Sequence, residues 1–407
     1  MNDDWYNTAI LQSIIIADAF ASPLDNLSAQ HIKATFDDVT EYVDPEPALK
    51  HKLYLWKKPG LYTSLSQYCI LLCAINSQNY TYNHQLVINF LHSLGDSSAY
   101  FRHTPQILHN LGNAYDAPTA ELLVLIPSLL FCKREPTPQN LLHFILAHNK
   151  NAATCAACTF FYLLLKEIIG RQLSTFHPEI LNDISSQMAL LIQQHSASIF
   201  EHGANPQVIT QAASDLHALM TTLPLTSDEV TFTRHILNYA NKWSNNSFTR
   251  LTVNHPFAIL PFALYCSYST PYNAVFSHIH HGGRVSVLLP LIAAISAALY
   301  GPDSIPEHLK ETLINKKRIY QLLQFLHESS ITMNYLTEFF QNEMKLTQKE
   351  KDELESKLKH SKHIKEKPKK PAADKHNAMT NHVVESWTKL DKAKWKKEKK
   401  KHKPYSE

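Results

Sequence analysis

The stretch Ala274–Pro306, AVFSHIHHGGRVSVLLPLIAAISAALYGPDSIP, decides the fold. A histidine-rich approach, with His278, His280 and His281, meets Gly282-Gly283. A sixteen-residue run without charge follows, Val285 to Tyr300, and Gly301-Pro302 stops it. Its Ala, Leu and Ile content predicts a helix buried on all sides. A helix that begins at two glycines is expected to present free N–H groups and a positive dipole end at a cavity. That end would suit an anion or a metal-bound anion. The three histidines offer imidazoles of the kind zinc takes. Close neighbours on one segment do not readily converge, however, and no cysteine lies near them in sequence.

Working outward, the composition agrees with an all-α chain. Of 407 residues, 44% are hydrophobic, enough for a substantial core, and only 8 are glycine. Few glycines and few alternating β-branched runs argue against sheets. The net charge of +3 hides an asymmetry. Residues 341–407 carry 20 Lys against 11 Asp or Glu, a net +9, so the rest is −6. The expected organisation is therefore one helical domain over residues 1–340 and a Lys-rich tail over 341–407. Within the tail, Val383, Val384, Trp387, Leu390 and Trp395 share one helical face spanning roughly 140°. A basic amphipathic segment over about 382–400 suits an anionic membrane surface, an acidic protein groove or nucleic acid. A merely solubilising extension has the same composition.

Cys69, Cys73, Cys132, Cys155, Cys158 and Cys266 sit in apolar surroundings. They read as free thiols in a reducing compartment, and the expected location is cytoplasmic. Cys155-Ala-Ala-Cys158 has no second such pair and reads as core packing. The opening Met-Asn-Asp-Asp lacks the basic start of a signal peptide. The uncharged runs fall short of the ~18–20 residues of a membrane span, so no transmembrane segment is expected.

Several landmarks, in order, resemble the ADP-ribosylglycohydrolase family. They are Asp18 to Asp25 with Pro23, Gly60 to Ser66, Pro127, Ala147-His148, Leu260 to Cys266, and Gly282-Gly283 through Ile305-Pro306. The resemblance covers roughly residues 8 to 315 and implies one large all-helical domain with a cleft where the motif helices meet. It also implies a pair of Mg²⁺ ions, held by Thr, Asp and Asp of one motif, Asp, Asp and Thr of another, and a nearby Glu. Here those positions read Thr63, Ser64 and Leu65, then Arg284, Ser286 and Val287, with Asp25 for the Glu. A loop usually of Gly-Asn-Gly reads Pro118, Thr119 and Ala120, and Val124 stands for an Arg.

Four carboxylates are thus missing and one guanidinium is gained. Each unit charge is worth about 4 kcal/mol to another at ~4 Å and an effective dielectric near 20. The resemblance therefore implies a degenerate hydrolase without metal or other cofactor. One form of that reading binds ADP-ribose or another anion at Thr63, Ser64, Gly282, Gly283, Arg284 and Ser286. Another has a filled cleft, with Leu65 and Val287 in the core and Arg284 paired to Asp18 or Asp25. Two alternatives stand beside it. One is a hydrolase with an altered or metal-free mechanism, using Asp18, Asp25 or His148 as acid or base. The other is an interaction module working through the tail.

Overall fold

A computed structural model describes residues 3–50, 52–95, 99–103, 117–175, 177–245 and 247–365. The described residues form helices and contain no strand, and an isolated bridge pairs Ser28 with Gly282. The chain divides into two units, residues 1–357 and 358–407. Of the second unit only the last residues of the helix Met333–Lys365 are described. The amphipathic segment expected over about 382–400 lies outside the described residues.

The first unit is built around two apolar helices packed on each other, Asp3–Ala21 and Val285–Tyr300. Every residue from Val285 to Leu299 is buried, as the uncharged run predicted. Around this pair lie Ser64–Gln78, Ala152–Arg171 and Pro256–Ser269, also apolar on most of their circumference. A helix with hydrocarbon on all sides can lower its free energy only in the middle of such a stack.

The apolar segment Thr119 to Phe131 was expected as one helix containing Pro127. It is an α-helix, Glu121–Leu125, that tightens into a 3₁₀ helix, Ile126–Phe131. The missing proline N–H favours starting a new, tighter turn there. Ala152–Arg171 and the continuous Val285–Ser304 are each 20 residues long, and both are apolar enough to cross a membrane by length and composition. This corrects the shorter spans read from uncharged runs. The helices extend over polar and charged ends, while 83% and 89% of their apolar windows are buried against other helices.

The packed unit extends past the composition change at Gln341. Glu343 is fully buried and receives hydrogen bonds from Tyr62 Oη (2.7 Å), Gln67 Nε2 (2.7 Å) and Asn315 Nδ2 (2.8 Å). It also pairs with the buried Arg102, Nη2 to Oε2 2.6 Å. Glu350 receives the Lys58 N–H (2.8 Å) and faces His103 Nε2 (3.1 Å). A Lys/Glu-rich sequence here carries carboxylates aimed inward at specific donors.

Candidate functional site

The positions singled out by sequence gather where the loop after Asp3–Ala21 meets the starts of Ser64–Gln78 and Val285–Tyr300. Asp18 lies inside the first helix and is wholly buried. Its oxygens accept from the Thr63 N–H (2.8 Å) and Ser66 Oγ (2.7 Å), and Thr63 Oγ1 lies 3.0 and 2.9 Å from them. Thr63 caps the helix that follows, taking the Leu65 N–H at 3.2 Å. Ser64 Oγ donates to the carbonyl of His103, and its N–H to the carbonyl of Arg102. Burial pushes the Asp18 carboxyl above its ordinary value, against the opposing hydrogen bonds of Ser66 and Thr63 and the Lys57 charge.

Asp25 caps the other helix. Its Oδ1 accepts the Ser286 N–H at 3.1 Å. Its Oδ2 lies 3.0 Å from Arg284 Nη1. Of the two partners expected for Arg284, the structure selects Asp25, because Asp18 is taken up by Thr63 and Ser66. Arg284 has a second partner that the sequence reading missed. Its Nη2 lies 2.6 Å from Oε1 of the buried Glu121. Burial raises the Glu121 carboxyl, Arg284 opposes that rise, and Asp25 adds to it. A signal was present, since Glu121 is the one charge in the apolar run from Thr119 to Phe131. Arg284 thus bridges two carboxylates from distant parts of the chain. Glu121 Oε2 and Arg284 Nε, both buried, have no hydrogen-bond partner among the described residues.

The glycines serve backbone packing. A Cβ on Gly282 would lie 2.5 Å from the Ala29 nitrogen, and one on Gly283 2.3 Å from Thr252 Oγ1. Both residues also have positive φ. The N–H of Gly283 goes to the Leu27 carbonyl and that of Arg284 to the Thr252 carbonyl. The expectation of free N–H groups facing a cavity is therefore corrected at Gly283, Arg284 and Ser286. The chain's own loop and the Asp25 carboxylate satisfy them. Leu65 and Val287 are buried apolar side chains.

His148 is brought elsewhere, among Tyr68, Tyr82 and Phe144. Its Nδ1 lies 2.8 Å from the Phe144 carbonyl and its Nε2 2.9 Å from Tyr68 Oη. The carbonyl can only accept, so Nδ1 carries the proton and the tyrosine donates to Nε2. Burial lowers its pKa to about 4. Of the three histidines before Gly282, His278 and His281 face each other, while His280 turns to Asp38 at 3.3 Å.

The sequence matches the family model described as ADP-ribosylglycohydrolase over residues 9–334. A solved structure titled "ADP-ribosylglycohydrolase-related protein complex" is 12% identical, with a TM-score of 0.41, over 81% of this chain and 99% of that one. No curated protein matches the chain.

Proposed function

The chain belongs to the ADP-ribosylglycohydrolase family, and from that premise we propose that it is a catalytically degenerate member, a scaffold that does not hydrolyse ADP-ribosyl bonds. The observation that carries this reading is the bridge from Arg284 to Asp25 and Glu121. A guanidinium held by two carboxylates supplies internally the positive charge for which the family uses magnesium.

The remaining donors do not fit a paired-magnesium cage. Mg²⁺ takes oxygen ligands in a near-ideal octahedron. Leu65 and Val287 offer hydrocarbon, and the Thr63 hydroxyl is engaged by Asp18. Asp25 and Glu121, the nearest carboxylates, are already paired with Arg284. Nor does the arrangement favour a metal-free acid or base. The Asp18 oxygens accept from Thr63 and Ser66, Asp25 is pinned by Arg284 and Ser286, and both nitrogens of His148 are occupied. Two carboxylates around one guanidinium leave this triad at a net charge of −1, which disfavours a phosphate. The filled-cleft form is therefore favoured over the anion-binding form. Six free cysteines support residence in a reducing compartment.

The test is calorimetric titration with ADP-ribose, with and without Mg²⁺, beside a hydrolysis assay on an ADP-ribosylated protein. The expected result is neither turnover nor Mg²⁺-dependent binding. Turnover above the uncatalysed rate would overturn the reading.

A further inference from the structure

A second cluster stands apart from the Arg284 bridge and rests on different residues. We propose that Cys266, His278 and His281 form a zinc site. One donor atom from each lies within 4.8 Å of the others. Cys266 comes from the helix Pro256–Ser269, and both histidines from the 3₁₀ helix Tyr272–His281. Side chains three apart on a 3₁₀ helix eclipse one another, which is why His278 and His281 converge and His280 does not.

The spacing of the two histidines suits the ion. His278 Nδ1 and His281 Nε2 are 3.1 Å apart. Two nitrogens each ~2.0–2.1 Å from a tetrahedral zinc stand about 3.4 Å apart, so the pair opens by only a few tenths of an ångström. One outer ring nitrogen has a hydrogen-bonding partner of the kind ligating histidines use, and the other has a carboxylate nearby. His278 Nε2 lies 2.9 Å from Thr270 Oγ1, and His281 Nδ1 lies 3.6 Å from the Glu229 carboxylate.

Without metal, one proton lies between His278 Nδ1 and His281 Nε2, and His278 also has Thr270 Oγ1 and the Cys266 backbone as partners. Zinc takes the place of that bridging proton, which moves to His278 Nε2 and is donated to Thr270. The Cys266 thiol releases its proton to solvent, and no electron is transferred. His281 is the most exposed of the three, with 27% of its side chain accessible, so a fourth position on that side is open to water. A filled site would tie the segment leading to Gly282 and Arg284 to the Pro256–Ser269 helix.

The experiment uses the full chain, stripped with a chelator and titrated with Co²⁺ alone as a spectroscopic probe, then with Zn²⁺. One equivalent of Co²⁺ should give a thiolate-to-cobalt charge-transfer band that one equivalent of Zn²⁺ removes. Cys266→Ser should abolish the band, and His281→Gln should weaken binding at least tenfold. His280→Gln should leave it unchanged. Should the buried Cys266→Ser not fold by circular dichroism, the more exposed His281→Gln carries the test. No thiolate band at equimolar Co²⁺, or a band that survives in folded Cys266→Ser, overturns the proposal, as does unchanged affinity in His281→Gln.

Discussion

Glu121 and Arg284 stand 163 positions apart in the chain and meet at 2.6 Å. Each keeps one buried polar atom unpartnered. An ion pair like this is costly to break from one side, because the survivor is left charged in a site already poor in donors. Arg284→Ala is therefore expected to destabilise the fold by about 2–3 kcal/mol, discounted from the ~3–5 of a fully buried pair because part of the guanidinium is exposed. Adding Glu121→Gln and Asp25→Asn to Arg284→Ala should recover part of that loss. Urea unfolding of the single and triple variants measures both, and an additive loss would contradict the bridge.

Asp18 tests whether the retained aspartate is structural. Its folded pKa is raised, chiefly by burial. Between the unfolded value and the raised one, the folded chain binds the extra proton, so stability falls as pH rises through that window. Asp18→Asn should remove this dependence while its amide oxygen still accepts from Thr63 and Ser66. Asp18→Leu strands those donors and should cost about 3 kcal/mol. Chemical denaturation of both variants from pH 4 to 8 reads the difference.

Two buried histidines predict acid sensitivity of the opposite sign. Burial, opposed by a backbone hydrogen bond in each case, lowers His148 and His255 to about 4. Below ~6.5 the unfolded chain takes up protons that these rings refuse. Stability present above that pH is lost as pH falls toward 4, at about 1.4 kcal/mol per pH unit for each ring. His148→Gln should reduce the slope by one proton in denaturation midpoints measured between pH 7 and pH 5.

The end of the packed unit can be located by truncation. Ending the chain after residue 340 removes Glu343 and leaves Arg102, Gln67 and Asn315 facing an empty position in the core. That chain is expected not to fold cooperatively, whereas one ending after residue 365 should unfold with the full chain's midpoint. Glu343→Ala alone should cost about 3–5 kcal/mol, the price of a buried ion left single. Thermal unfolding followed by circular dichroism distinguishes the three.

Glycine substitutions separate backbone need from propensity. Gly283→Ala forces a Cβ against Thr252 at a positive φ and should destabilise by more than 1 kcal/mol. Gly170, in the helix Ala152–Arg171, has nothing within 4 Å of a built Cβ. Gly170→Ala should stabilise by up to ~1 kcal/mol. Equal effects at the two sites, in parallel thermal melts, would remove the argument for the Gly282-Gly283 packing.

The sequence by itself determined the all-helical class, the central buried helix Val285–Tyr300 and the family to which the chain belongs. These are properties of local pattern: a long run without charge, scarce glycine, and landmarks in a fixed order. In its filled-cleft form the reading also offered Asp18 or Asp25 as a partner for Arg284, and it missed Glu121. Only the tertiary structure decided between Asp18 and Asp25, brought Glu121 to the same guanidinium, and set His278 and His281 beside Cys266. It also carried the packed unit past Gln341, where composition alone reads as a solvated tail. The reason is common to all four. Whether a charged side chain meets water, a counter-charge or a donor depends on segments tens to hundreds of residues away, and a one-dimensional pattern does not record what a fold brings within 3 Å.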